Sequence, residues 1–266
     1  MKQVVPITID EFKKKYNVKE NNPWKTSVFT REDLLTLQKE AGVVGAVTQT
    51  FQLVKLLPVF VRNPWQFIRN LPVLIQSYVS RVIIYYQSRH ADITLSCPFS
   101  DYTMRASIFS SFKPRTFLEI GTGKGWGIVA FKAVLPTCHC YTVSPKLSPE
   151  TGKMVKEKNL GIQQIWEDSA KLNFKQFGKV DVTYIDGNHT YEWVYSDLVH
   201  SAAITKKAII LDDYIPSPDS LRGNIARYAE FNADVVRAVH TYLRTKPNEF
   251  KYAYWLIDSN LCVLIK

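Results

Sequence analysis

The chain has 266 residues, of which 46% are apolar and 22% charged, and it carries a formal net charge of +10. This is globular composition, rich enough in apolar residues to bury a core, and it excludes a disordered or fibrous chain. The length suits one large domain, or a catalytic domain with an extension. Cys97, Cys138, Cys140 and Cys262 make no C-x-x-C pair and have no histidine at zinc spacing. A disulfide framework or a structural zinc is therefore not expected, and a reducing compartment is.

Residues 1–110 read as helical, punctuated by prolines. The start, MKQVVPITIDEFKKKY, lacks the apolar core of a signal peptide. Thr30 followed by Arg31, Glu32 and Asp33, then Leu34, Leu35 and Leu37, has the form of an N-cap, an acidic first turn and an apolar stripe. An apolar segment over 44–57 follows, then Pro58, Pro64 and Pro72, and a longer helix is expected from about 72 to 89. No run reaches about 18 apolar residues, so no spanning helix is expected. A cytoplasmic protein is the expectation, free or peripheral to a membrane.

Between Glu40 and Asp92 the sequence has no acidic residue, but it has Lys55, Arg62, Arg69, Arg81 and Arg89 among seven aromatic side chains. Such a segment suits anionic lipid heads, nucleic acid or an acidic substrate, and residues 44–90 are the candidate for peripheral membrane contact. The competing explanation is a solvated basic face on helices buried on the other side. Residues 1–110 as a whole read as a helical extension or cap.

Residues 111–266 alternate between strand and helix. Strands are expected at Arg115–Ile120, Cys138–Val143, Ile162–Trp166, Val180–Ile185 and Ala208–Leu211, with helical stretches between them. Cys138 and Cys140 fit buried strand thiols. That order implies an α/β fold with a Rossmann-like, mostly parallel sheet. Tyr252–Ile257 and Leu261–Ile265, joined by Asp258-Ser259-Asn260, add a C-terminal antiparallel hairpin.

Three places along this half carry chemistry. The first is the loop after the first strand, where Glu119-Ile120 precedes Gly121, Thr122, Gly123, Lys124 and Gly125, and a helical pattern resumes at Ile128. Glycines there let the backbone turn sharply at a helix N-terminus and approach a ligand, where an open α/β sheet binds one. A dinucleotide and S-adenosylmethionine both suit such a loop. Glu119 separates them, since a carboxylate repels pyrophosphate and attracts an amino group. The second is Asp186-Gly187-Asn188-His189, after the strand ending in Ile185. The third is Asp212-Asp213, after the strand ending in Leu211. Neighbouring parallel strands end on one edge, so Asp186, Asp212 and Asp213 are expected to gather. Crowded carboxylates need a cation, and oxygen ligands suit magnesium or another divalent ion. The alternative makes them turn and cap residues.

Glu-x-Gly-x-Gly-x-Gly after a first strand resembles motif I of the class I S-adenosylmethionine-dependent methyltransferases, over roughly residues 113–266. The resemblance implies a seven-stranded sheet ending in an antiparallel hairpin, and a cofactor held by Glu119, Gly121, Thr122, Gly123, Gly125 and Asp186. The family's ribose-binding acid is replaced here by Ser144, which can hydrogen-bond a hydroxyl without charge assistance. Asp168, followed by Ser169, matches the family's adenine contact, with a helix cap as the alternative. Ile-Asp-Gly-x-His resembles the metal-dependent O-methyltransferases, catechol type included. That likeness implies Asp186, Asp212 and Asp213 as metal ligands and places His189 at the offset of the general base. Its ordinary pKa near 6.5 suits that role.

The implied activity is methyl transfer to a hydroxyl of a small-molecule acceptor, with a divalent cation assisting. A cofactor-binding protein without transfer activity, docking through its basic helical region, is the competing class. A third class is metal-independent methylation of nitrogen or of RNA; the tetrads of nitrogen methylases, Asn-Pro-Pro-Tyr and Asp-Pro-Pro-Tyr, are absent after the fourth strand, which argues against it and against a nucleic-acid partner. An oligomer is left open.

Overall fold

The computed structural model describes residues 2–19, 99–123, 125–145, 152–153, 155–156, 159–216, 233–257 and 259–266. The expected helices over 30–37 and 72–89, the apolar segment 44–57, the basic aromatic segment, Cys97, Lys124 and Asp258 lie outside them. The chain divides into two compact units, one of Met1–Val28, Tyr102–Tyr214 and Asp234–Lys266, the other of Phe29–Asp101 and Ile215–Ala233. Every strand of the sheet belongs to the first unit.

The strands are β1 (Val5–Ile7), β2 (Thr116–Ile120), β3 (His139–Val143), β4 (Ile162–Ile165), β5 (Val180–Ile185), β6 (Thr205–Leu211), β7 (Tyr252–Leu256) and β8 (Leu261–Ile265). They form one sheet in the order β1-β7-β8-β6-β5-β2-β3-β4. The five strands from β4 to β6 are mutually parallel, and β8 runs antiparallel to both β6 and β7. The Rossmann-like sheet with a terminal hairpin is thus present. One strand beyond the expected seven is added by β1, which pairs in parallel with β7. Val5-Pro6-Ile7 is short and contains a proline, which a sheet tolerates at its edge.

Helices α1 (Ile9–Tyr16), α2 (Phe99–Ser111), α3 (Trp126–Val134), α4 (Tyr191–Ile204) and α5 (Ala233–Thr245) accompany the sheet. Thr8 and Glu11 form a reciprocal capping box that starts α1: the Glu11 N–H donates to Thr8 Oγ1 at 3.2 Å, and the Thr8 N–H to Glu11 Oε2 at 2.7 Å. Phe12 and Tyr16, one turn apart, pack on Phe112 and Tyr254.

The two sides of β2 meet different partners, as the period of a strand requires. Phe117 stacks on Phe131 of α3 at 3.9 Å and on Phe109 of α2 at 5.5 Å. Leu118 and Ile120 join a second cluster with Val194 and Leu198 of α4 and Ala238, Val239 and Leu243 of α5. Fully burying each such side chain contributes about 2 kcal/mol. All six residues of β5 are buried, as a central strand covered on both faces should be.

The likeness to the class I methyltransferases, which carry a turn before the fifth strand, implies one at Ile204-Thr205-Lys206-Lys207. Instead α4 runs directly into β6, with Ile204 ending the helix and Thr205 beginning the strand. Polar residues are accommodated here because each finds a partner. Thr205 and Thr183 share a hydroxyl hydrogen bond at 2.7 Å, Lys206 reaches Asp181 at 3.4 Å, and Lys207 donates to the carbonyls of Phe112 and Lys113. Asp181 also accepts the Arg115 N–H at 2.7 Å. Burial pushes its carboxyl up, yet that bond and the two lysines prevail and hold it below its ordinary value. Cys138 and Cys140 are buried free thiols.

Candidate active site

The parallel ladder continues past the strand ends and fixes one edge of the sheet. The Ser144 N–H donates to the Ile165 carbonyl at 3.1 Å, Gly121 to Val143 at 2.9 Å, Asp186 to Ile120 at 2.8 Å and Asp212 to Ile185 at 2.9 Å. Ser144, the glycine loop, Asp186 and Asp212 therefore stand side by side at the carboxyl ends of β3, β2, β5 and β6.

Each glycine of the loop is required for a different reason. Gly121 has φ +95°, and a Cβ built on it would lie 2.0 Å from the Asp186 carbonyl oxygen. Its missing side chain lets the β2 loop pack directly on the turn after β5. Gly123, at φ +51°, faces open space, with nothing within 4 Å of an added Cβ. Gly125, at φ 78°, begins α3 in a left-handed conformation.

Behind the loop runs a hydroxyl chain. Thr122 hydrogen-bonds Thr142, and the Thr142 hydroxyl donates to Glu119 Oε2 at 2.6 Å. Glu119 is 2% exposed. Burial pushes its carboxyl up to about 8, with the Thr142 hydrogen bond opposing and the nearby Asp186 adding to the rise.

Beside this chain lies a shallow, open pocket lined by Thr122, Thr142, Ser144, Gln164, Ile165 and Trp166. Trp166 leaves 60% of its surface exposed, which is unusual for an indole. Asp168 sits further along the same connection. Its carboxylate accepts the Ala170 N–H at 3.1 Å and caps the 3-10 turn Ser169–Lys171, the structural role anticipated as the alternative to adenine binding. Ser169 is buried.

The acidic part of the edge is the most heavily bonded. Asp186, Asp212 and Asp213 do come together, around Arg105 and His189. Arg105 of α2 donates to Asp212 Oδ2 and to the Tyr184 hydroxyl, and its guanidinium stands 4.0 Å from Asp186. The Tyr184 hydroxyl lies 3.0 Å from Asp212 Oδ2 and 3.2 Å from Asp186 Oδ2, and its single proton can serve only one of them at a time. Asp213, left-handed at φ 52°, brings its carboxylate 3.5 Å from His189 Nδ1. His189 Nε2 is 3.6 Å from Asp186.

Burial and the negative neighbour Asp212 push the Asp186 carboxyl up, against the pull of His189 and Arg105. Burial of His189 works against its charge, but Asp186, Asp213 and Asp212 outweigh it, and its pKa is raised.

The arrangement does not fit the divalent ion that the family likeness implies for Asp186, Asp212 and Asp213. Among the described residues no group of three or more His, Cys, Asp or Glu side chains is placed to hold a metal. Asp212 Oδ2 is engaged by a guanidinium and a phenol, and the Asp213 carboxylate is turned to His189. The residues around the loop have the chemistry of a nucleoside site: the backbone at Gly123 opens on free space, and the shallow pocket beside it is lined by hydroxyls and an exposed indole.

Arg105 and Tyr184 carry no recognisable motif. The signal for Tyr184 is a phenol in an otherwise buried strand, which has to find a polar partner. Arg105 has no comparable signal.

Residues 118–214 match the family model for a methyltransferase domain, which spans the glycine loop and the whole acidic edge. The chain is thus similar to methyltransferase domains over the segment that carries the site. Among solved structures, the chain is similar to the methyltransferase PaMTH1 of Podospora anserina bound to SAH, at 16% identity and TM-score 0.46, covering 64% of this chain and 82% of that one. It is similar to an O-methyltransferase of Bacillus cereus in complex with SAH, at 13% identity and TM-score 0.47, covering 74% and 91%. An O-methyltransferase family protein of Burkholderia thailandensis aligns at 13% identity and TM-score 0.43, covering 83% and 70%. No curated protein matches the chain. Among the described residues, no helix is long and apolar enough to cross a membrane.

Proposed function

We propose that this protein transfers a methyl group from S-adenosylmethionine to a hydroxyl of a small-molecule acceptor. The observation that supports it is the single edge on which the glycine loop, with Glu119 behind it, stands next to His189 between Asp186 and Asp213.

When bound, the cofactor supplies a sulfonium methyl that is intrinsically electrophilic, so the protein's share is alignment and activation of the acceptor oxygen. Gly121, Thr122, Gly123 and Gly125 would hold the methionine end, with Glu119 behind the loop. The pocket of Thr122, Ser144, Gln164 and Trp166 takes the ribose and adenine side, where the Trp166 indole supplies contact area in place of the missing acid at Ser144. Asp168 and Ser169 border the adenine. Asp213, facing Nδ1, would orient the His189 imidazole and leave Nε2 to take the acceptor's proton. The basic, aromatic segment between Glu40 and Asp92 is the part of the sequence we assign to acceptor choice and to any contact with a membrane surface.

The base must be neutral to act, and its neighbours raise its pKa. Activity should therefore climb with pH through an apparent pKa above the ordinary 6.5 of histidine. Transfer of labelled methyl from S-adenosylmethionine across a panel of hydroxyl acceptors is the test. Replacing the base should cost about 100-fold or more. Full activity in His189→Ala, or a flat pH profile, would remove His189 from this role; methyl appearing only on nitrogen acceptors would overturn the oxygen assignment.

A further inference from the structure

The acidic edge of this fold has a cation of its own. Three carboxylates, Asp186, Asp212 and Asp213, converge at the ends of β5 and β6, and bringing them together without positive charge would be costly. Here the charge comes from α2. Arg105 donates both to Asp212 and to the Tyr184 hydroxyl, and it faces Asp186 at 4.0 Å. Its side chain is 13% exposed, and that of Asp212 is 6% exposed, so the pair is shielded from solvent and weakly screened. A guanidinium is planar and permanently charged, and it directs several N–H groups at once. It can therefore meet a carboxylate and a phenol together.

We propose that Arg105 stands in place of a divalent metal at this edge, as a built-in positioning residue. It fixes Asp212 and Tyr184, and through Tyr184 and Asp186 it sets the ground on which His189 sits. A divalent ion bridging Asp186 and Asp212 would have to displace the guanidinium that meets Oδ2 of both, or be accommodated beside a fixed positive charge. The wild-type edge accordingly excludes divalent cations.

The test is binding of Mn²⁺ to the full chain, followed by the spin-resonance signal of the free ion, a readout independent of any methyl acceptor and of the cofactor. Wild type and Arg105→Lys, which keeps the charge, should leave millimolar Mn²⁺ free, and their melting temperatures should not move with it. Arg105→Gln removes the charge while keeping a polar chain of similar reach. It should melt lower than wild type, gain about one equivalent of bound Mn²⁺, and recover several degrees on adding the ion. Stoichiometric Mn²⁺ binding by wild type that Asp212→Asn abolishes would overturn the proposal, and that result needs no Arg105 variant to fold. Failure of a folded Arg105→Gln to take up Mn²⁺ would also overturn it, because the guanidinium would then not occupy a metal's place.

Discussion

Gly121→Ala should destabilise the protein by about 3 kcal/mol or more, the range reached when a backbone cannot accept a side chain. Two costs coincide at this position. A residue with a Cβ is disfavoured at φ +95°, and the added carbon would lie 2.0 Å from the Asp186 carbonyl oxygen, so backbone would have to move. The strand ends that would part are those of β2 and β5, which carry the glycine loop and Asp186. Gly123→Ala is the natural comparison. It has φ +51° and no atom within 4 Å of the new carbon, so it pays only the left-handed conformation, about 1 kcal/mol. Urea unfolding midpoints of the two variants would separate by far more than their error. Equal, small losses would mean that the close approach of the two loops is not a feature of the folded protein.

The second large effect concerns Glu119. Its carboxyl has an ordinary value of 4.5 and is pushed up to about 8 by burial. Below 4.5 the group is protonated whether the chain is folded or not. Between that value and 8 the unfolded chain has released the proton while the folded chain keeps it. The folded state then binds the extra proton, so stability falls as pH rises, by about 1.4 kcal/mol per pH unit from this group, and levels off above 8. Glu119→Gln is neutral at every pH and can still accept the Thr142 hydrogen bond. Relative to wild type it should gain up to about 4 kcal/mol between roughly pH 5 and pH 8. Denaturant unfolding across that range measures the difference directly, and parallel curves for the two proteins would show that Glu119 does not hold its proton. The same burial alters the electrostatic reason for preferring S-adenosylmethionine over a dinucleotide. Glu119 repels pyrophosphate and attracts an amino group only once its proton has gone, and the approach of a cationic ammonium favours that loss.

Much of the fold is legible in the chain because apolar runs of strand length are bounded by turn residues. Val180–Ile185 and Leu261–Ile265 are read to the residue, and the other expected strands to within a few positions. β1 is not legible, since three residues with a proline give no alternation to read and its pairing with β7 joins opposite ends of the chain. Thr205-Lys206-Lys207 stands where the family likeness implies a turn, and it becomes a strand because Thr183, Asp181 and the end of α2 supply partners. At the site, the glycine loop, the convergence of Asp186, Asp212 and Asp213 and the place of His189 can all be read from motif spacing along parallel strands. What holds those carboxylates together cannot. A carboxylate cluster asks for a cation, but nothing in residues 99–111 announces that Arg105 of α2 will supply it. The cap formed by Asp168 is likewise a local choice of the backbone, decided by the Ala170 N–H within reach.

Binding of S-adenosylmethionine at this edge underlies every role assigned to its residues. Titration calorimetry of the full chain with S-adenosylmethionine and its demethylated product, set against NAD, tests it most directly. The expected result is one equivalent of each adenosyl ligand bound and no heat from NAD. Binding of NAD without binding of either adenosyl ligand would contradict it.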